Sequence, residues 1–175
     1  FLRFHPHYEK MSCKRFLKQY PNLLIVNAFT KFYAMAGLRL GYLMTGDLSL
    51  LHAVAQQLPE WNVSSIAQRA GISALQDTEY EKRTRQLIEK ERRYLIQEFL
   101  KMGCTVFPSE ADYITFRLPQ EKTGFLLKER LLEGKILIRS CANYRNMPPD
   151  CYRIAVKQHA DNEELVRQVW RILKQ

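Results

Sequence analysis

The sequence predicts an α/β chain in two parts, and three observations carry that prediction. From residue 104 onward, short apolar strands alternate with helical segments, the order that builds an α/β or α+β layer. Near the start, Leu23–Phe29 is a continuous apolar run broken by a single Asn, and reads as a buried strand. Between these regions lies the longest periodic stretch, Thr78–Met102. There Tyr80, Thr84, Leu87, Tyr94, Leu95 and Phe99 recur at helical spacing, and Gly103 is placed to end the helix.

The remaining elements follow in order. Ser12 can cap a helix over Cys13–Tyr20, which Pro21 ends. Thr30–Leu38 has no clean period and reads as a loop or a single helical turn. Leu40–Met44 reads as a second strand, closed by Thr45-Gly46-Asp47. Leu48–Gln57 is an apolar-rich helix stopped by Pro59, and Ser64–Gln76 is another, with Ser64 or Ser65 as its cap. Later strands are expected at Cys104–Phe107, Asp112–Leu118, Ile136–Arg139 and Tyr152–Val156, with helices at Lys122–Leu132 and Asp161–Leu173. The natural boundary falls inside the long helix, near residues 80 to 90, and no internal repeat is visible.

Composition narrows the function. With 46% apolar and 11% aromatic residues, the chain has the make-up of an ordinary globular protein. No apolar run approaches the ~20 residues needed to cross a bilayer. The opening Phe-Leu-Arg-Phe has neither an initiator Met nor the pattern of a secretory signal, so an upstream part is expected to be missing. The four cysteines are far apart, with no C-x-x-C, which argues against a structural zinc site and for reduced thiols in a cytoplasmic protein. A net charge of +9 calls for a nucleic-acid hypothesis. The interleaved charges of Glu79–Glu98 count against it, because that pattern reads as a solvated helix face.

The segment that carries chemistry is Asn27–Tyr42. Lys31 follows the first strand directly in an aromatic setting, where burial would disfavour the ammonium and suit a Schiff-base lysine. Eight residues on, Arg39 lies among apolar residues and between Gly37 and Gly41, a context that calls for an anion or a carboxylate. A lysine for an aldehyde and an arginine for a phosphate are what pyridoxal phosphate requires. On composition alone, Lys31 would be a solvated loop lysine and Arg39 a strand-edge arginine in a surface ion pair.

The stretch Thr30-Lys-Phe-Tyr-Ala-Met-Ala-Gly-Leu-Arg-Leu-Gly-Tyr42 resembles the signature of the class I/II aminotransferases, fold-type I pyridoxal-phosphate enzymes. Within that family it is most similar to the threonine-phosphate decarboxylase branch of cobalamin synthesis, and next to the histidinol-phosphate aminotransferase branch. The likeness runs on through Trp61–Gln68, Ser109–Phe116, Ile138–Tyr144 and Tyr152–Lys157, and Phe1–Phe4 looks like the tail of a family strand. The resemblance implies the C-terminal part of a fold-type I transferase. Residues 1–85 would end the large cofactor-binding domain, and residues 86–175 would form the small C-terminal α/β domain. Lys31 would hold the cofactor, Thr30 and Arg39 its phosphate. Arg153 would clamp the substrate carboxylate, with Arg139 and Asn143 near the substrate phosphate; without the resemblance, both arginines read as strand-edge salt bridges. A small phosphorylated amino acid or amine as substrate, a homodimer, and no metal, nucleic acid or membrane complete the implied picture.

Three departures from the family stand out. Ala28 replaces a hydroxyl residue three positions before the lysine, so one phosphate hydrogen bond is lost. Phe1 stands where many relatives have a Tyr, and the Asp that pairs with the pyridinium nitrogen would lie before Phe1. Without that carboxylate the ring is a poorer electron sink, so the fragment by itself is expected to be inactive. An alternative of another class is a non-catalytic basic binding module.

Overall fold

A computed structural model describes residues 1–122, 124 and 126–174. The chain divides into two compact units, Phe1–Thr84 and Arg85–Gln175.

The first unit opens with a single 3-10 turn at Leu2–Phe4 and a one-turn helix, α1 (Tyr8–Met11). The strand tail expected at Phe1–Phe4 is therefore a turn, and it directs Arg3 and Phe4 inward onto Phe32. Ser12 does cap the next segment, accepting from the Lys14 amide, but the expected helix shrinks to a 3-10 turn at Cys13–Phe16. Pro21 disfavours helical geometry at Tyr20, and what remains is too short to offset helix nucleation.

Strands β1 (Leu24–Ala28) and β2 (Gly41–Thr45) pair antiparallel, from Leu24 opposite Thr45 to Ala28 opposite Gly41. Contrary to the expectation of a buried strand, β1 is largely exposed, with Val26 at 72%. Among the described residues its sheet has two strands, so an apolar run suited to a sheet covered on both faces meets water. Gly46, just past β2, sits so close to the chain before β1 that an added Cβ would lie 2.1 Å from the Leu17 carbonyl oxygen. Helix α2 (Leu48–Gln56) is capped by Asp47, whose carboxylate accepts from the amides of Ser49 and Leu50. Helix α3 (Ser65–Gln76) is capped by Ser64, which accepts from Ala67.

Helix α4 (Thr78–Lys101) runs from the first unit into the second and ends at Gly103, whose φ of +80° needs a residue without Cβ. The second unit is a four-stranded antiparallel sheet in the order β3-β4-β6-β5, built from β3 (Thr105–Val106), β4 (Tyr113–Arg117), β5 (Arg139–Ser140) and β6 (Cys151–Ala155). Helices α5 (Leu127–Glu133) and α6 (His159–Leu173) complete it. One sheet face is a closed core. Ile114, Phe116, Tyr152 and Ile154 are buried there, as are Leu95 and Phe99 of α4, Leu127 and Leu131 of α5, and Val169 of α6. The Phe99 and Phe116 rings meet at 4.3 Å.

Two expectations shift in this unit. The strand expected at Ile136–Arg139 is the two-residue β5, because Ile136 closes the end of α5 through its amide bond to the Leu131 carbonyl. The helix expected from Lys122 begins at Leu127, after a 3-10 turn at Gln120–Lys122. Thr123 and Phe125, within that expected helix, lie outside the described residues.

Candidate functional site

The hairpin of the first unit presents the Lys31 segment. Past the last ladder pair, the Phe29 amide bonds to the Leu40 carbonyl at 3.0 Å, so Thr30 and Arg39 are the next residues outward on the two arms. Three aromatic side chains around the lysine are buried, Phe29, Phe32 and Tyr33, whereas Lys31 itself is exposed. The expectation of a lysine desolvated by its neighbours is thus corrected: the rings turn inward, and the Lys31 amine faces solvent with no ion pair among the described residues.

Arg39 departs from expectation in the same way. It is exposed, and its guanidinium donates to the backbone carbonyl of Ala36 at 3.1 Å rather than to a carboxylate. Its backbone is left-handed, with φ of +53°, a conformation that costs a side-chain-bearing residue about 1–2 kcal/mol. Such strain persists where the surrounding structure or the function holds it. Gly37 has open space about it. Thr30 is half-buried.

Behind the loop lies a cluster that sequence reasoning missed. The Tyr33 hydroxyl donates to Glu81 at 2.6 Å, and Arg3 pairs with Glu81 at 3.2 Å and donates to the Tyr33 hydroxyl. Tyr80 donates to the Phe32 carbonyl at 3.1 Å, and its ring stacks on Tyr33. Burial and the bond to Glu81 both push the Tyr33 hydroxyl well above its usual range, outweighing the opposite pull of Arg3. Tyr33 belongs to the Lys31 segment, but Glu81 lies in the charge run read as a solvated face, and no local pattern joins residues 48 apart. That run departs from its reading twice more, since Glu91 and Arg92 are buried.

In the second unit, Arg139 of β5 lies directly opposite Arg153 of β6. Asn143 accepts from Arg139 at 3.1 Å. The Tyr113 ring lies under the Arg153 guanidinium at 4.9 Å, and the Tyr144 ring under Arg139 at 5.7 Å. Arg117, on the same sheet, is neutralised by Asp150 at 2.8 Å. Arg139 and Arg153 have no carboxylate partner among the described residues, so strand-edge salt bridging does not account for them. Like charges directly opposite across strands destabilise a sheet; a bound anion removes that cost. The structure therefore brings Arg139, Asn143 and Arg153 together in one unit, and Thr30, Lys31 and Arg39 on one hairpin of the other.

The family profile described as aminotransferase class I and II matches residues 5–169. The chain belongs to that family. It is 36% identical over 158 residues to the threonine-phosphate decarboxylase of Salmonella typhimurium, covering 90% of this chain and 43% of that protein. It is 33% identical to the histidinol-phosphate aminotransferase of Oleidesulfovibrio alaskensis, covering 90% of this chain and 41% of that protein. The structure overlays that of the Clostridium acetobutylicum histidinol-phosphate aminotransferase with a TM-score of 0.87 at 30% identity, over 99% of this chain and 51% of that one. The chain thus has the fold of the C-terminal part of a fold-type I transferase and spans about half the length of the relatives it matches.

The family's cofactor is pyridoxal phosphate, and the hairpin fits it. An unpaired primary amine suits the aldehyde. Among the described residues the Arg39 guanidinium bonds to its own loop, which keeps donors for a phosphate, and Thr30 on the other arm offers a hydroxyl. Among the described residues no group of three or more His, Cys, Asp or Glu is placed to hold a metal ion, and no helix is long and apolar enough to cross a membrane.

Proposed function

We propose that the protein acts as a pyridoxal-phosphate lyase, decarboxylating L-threonine O-3-phosphate to (R)-1-amino-2-propanol O-2-phosphate in cobalamin synthesis. The observation that carries this reading is the facing pair Arg139 and Arg153, which has no carboxylate partner among the described residues and suits a substrate with two anionic groups. The 36% identity to a threonine-phosphate decarboxylase supports it.

In this reading residues 1–85 are the end of the large domain and residues 86–175 the small domain. Arg153 binds the substrate carboxylate, and Arg139, steadied by Asn143, binds the phosphate. Arg39 and Thr30 hold the cofactor phosphate. The bound cofactor supplies the electron sink that accepts the pair left at Cα when CO₂ departs. Lys31 would hold the cofactor through its aldehyde, and its side chain, as the ammonium, would supply the proton that Cα takes up in place of CO₂. The complete protein works as a cytoplasmic homodimer, and residues 1–175 alone are inactive.

A second reading, aminotransfer from histidinol phosphate, is supported by the likeness to the two aminotransferases described above. The deciding experiment supplies the full-length protein with each substrate. CO₂ release from threonine phosphate, lost in Lys31→Ala, supports the lyase. Amino transfer to 2-oxoglutarate without CO₂ overturns it in favour of the aminotransferase. If neither reaction occurs and nucleic acid binds at low salt but not at high salt, the basic-module reading of the +9 charge replaces both.

A further inference from the structure

Tyr33 lies two residues after Lys31, buried between stacked rings: Phe29 at 5.1 Å on one side and Tyr80 at 6.0 Å on the other. A phenylalanine would fill that space equally well. Instead the position carries a hydroxyl, and around it a carboxylate and a guanidinium whose side chains are each only 17% exposed. Removing two charges from water is costly, and packing alone does not require it. What the cluster does is local. It joins the N-terminal segment (Arg3) and the first turn of α4 (Glu81) to the residue that sets the path of the Lys31 loop. The Arg3 guanidinium lies over the rings of Phe32 and Tyr33, and Tyr80 holds the Phe32 carbonyl. Both residues following the lysine are therefore fixed from behind, while the lysine itself stays exposed. Burial and the bond to Glu81 hold the Tyr33 hydroxyl well above its usual range, in keeping with its place as the donor in that bond.

We propose that Tyr33 is a positioning residue, locked by Glu81 and Arg3, that holds the Lys31 loop so that the amine is presented to the cofactor aldehyde. The inference rests on the reading of Lys31 as the cofactor lysine. The interaction that matters is the acceptor offered to the Tyr33 hydroxyl at position 81, and Arg3 orients that acceptor.

The test uses the full-length protein and four variants, Lys31→Ala, Tyr33→Phe, Glu81→Ala and Glu81→Gln, with pyridoxal phosphate as the probe. Two quantities are read: amide hydrogen exchange over residues 31–39, and the rate at which borohydride-stable pyridoxal phosphate accumulates on Lys31, located by peptide mass. Loss of a hydrogen bond to a charged group is expected to speed loop exchange about tenfold or more in Tyr33→Phe and Glu81→Ala. Capture at Lys31 is expected to slow by about tenfold in the same variants, as the amine loses its set position. Glu81→Gln still offers an oxygen to the hydroxyl and is expected to recover capture to within about threefold of the unmodified protein. A residue needed only for packing would not show that rescue. Unchanged loop exchange in Tyr33→Phe, unchanged capture despite a loosened loop, or a Glu81→Gln variant as slow as Glu81→Ala each overturns this inference and leaves the functional reading standing. If the unmodified protein captures nothing at Lys31, the functional reading falls and this inference falls with it.

Discussion

The two groups of candidate residues, one in each unit, are held by different means. The arginine pair of the second unit sits on a sheet whose other face is a packed core, and among the described residues the largest fully buried side chains, from Phe99 and Phe116 to Val169, belong to that unit. The lysine hairpin of the first unit has a two-stranded sheet, and among the described residues most of the large exposed apolar side chains belong to that unit, including Val26, Leu48 and Trp61. Its order comes from ring stacking and from the bonds among Arg3, Tyr33 and Glu81. Packing secures the arginines; a polar clamp secures the lysine. The first kind of support fails when volume is removed and the second when a donor or acceptor is removed, so each can be damaged separately.

The largest expected effect is on the packed side. Phe116→Ala should destabilise the second unit by about 3–5 kcal/mol, seen as a lowered unfolding midpoint. Well below that transition, exchange over residues 31–39 should stay at its original rate. Loosening of both regions together would break the contrast.

Next comes the buried carboxylate of α4. Burial pushes the Glu91 pKa up, but bonds from Asn162 and His159, both at 3.0 Å, outweigh this and hold it below the usual carboxylate range. A folded-state pKa below the unfolded one contributes stability that is complete above the unfolded value and lost as pH falls through the folded one. Glu91→Gln should cost about 1–3 kcal/mol at neutral pH and flatten that acid limb. Denaturant midpoints measured from pH 7 down to pH 3 check both statements.

A smaller effect separates function from stability. Arg153→Gln relieves the facing charges, so the unfolding free energy should rise by about 0.2–1 kcal/mol, while binding of threonine phosphate weakens by roughly tenfold. Calorimetry and equilibrium binding on one preparation would show the opposite signs; a fall in both would mean that Arg153 is structural. Last, Asp47→Ala removes the cap of α2 and should cost about 1 kcal/mol, confined to the first unit.

How far the sequence could be read follows from the range of each interaction. Local patterns reach what lies close in the chain: Lys31 and Arg39 stand out together in one segment, and the caps at Ser12 and at the Ser64-Ser65 pair, of which Ser64 is the one used, are legible from residue type. Patterns that depend on distant partners were not. The apolar run of β1 reads as buried, yet its exposure depends on what covers the sheet. The apolar triplet before Arg139 reads as a strand because its competing use, closing α5, depends on a helix end. Arg139 and Arg153 were picked out by resemblance, but only strand pairing places them face to face. Glu81 and Glu91 look like surface charges until their partners are known.

The contact at Gly46 bears on how freely this chain can vary. Because any Cβ there would strike the Leu17 carbonyl oxygen, a saturation library at position 46 should return a single letter, whereas the neighbouring Thr45 and Asp47 should accept several. An insertion or fusion joint placed between residues 12 and 20 would then need to preserve the path of that one carbonyl, which makes the stretch a poor place to cut and a useful landmark for aligning more distant sequences.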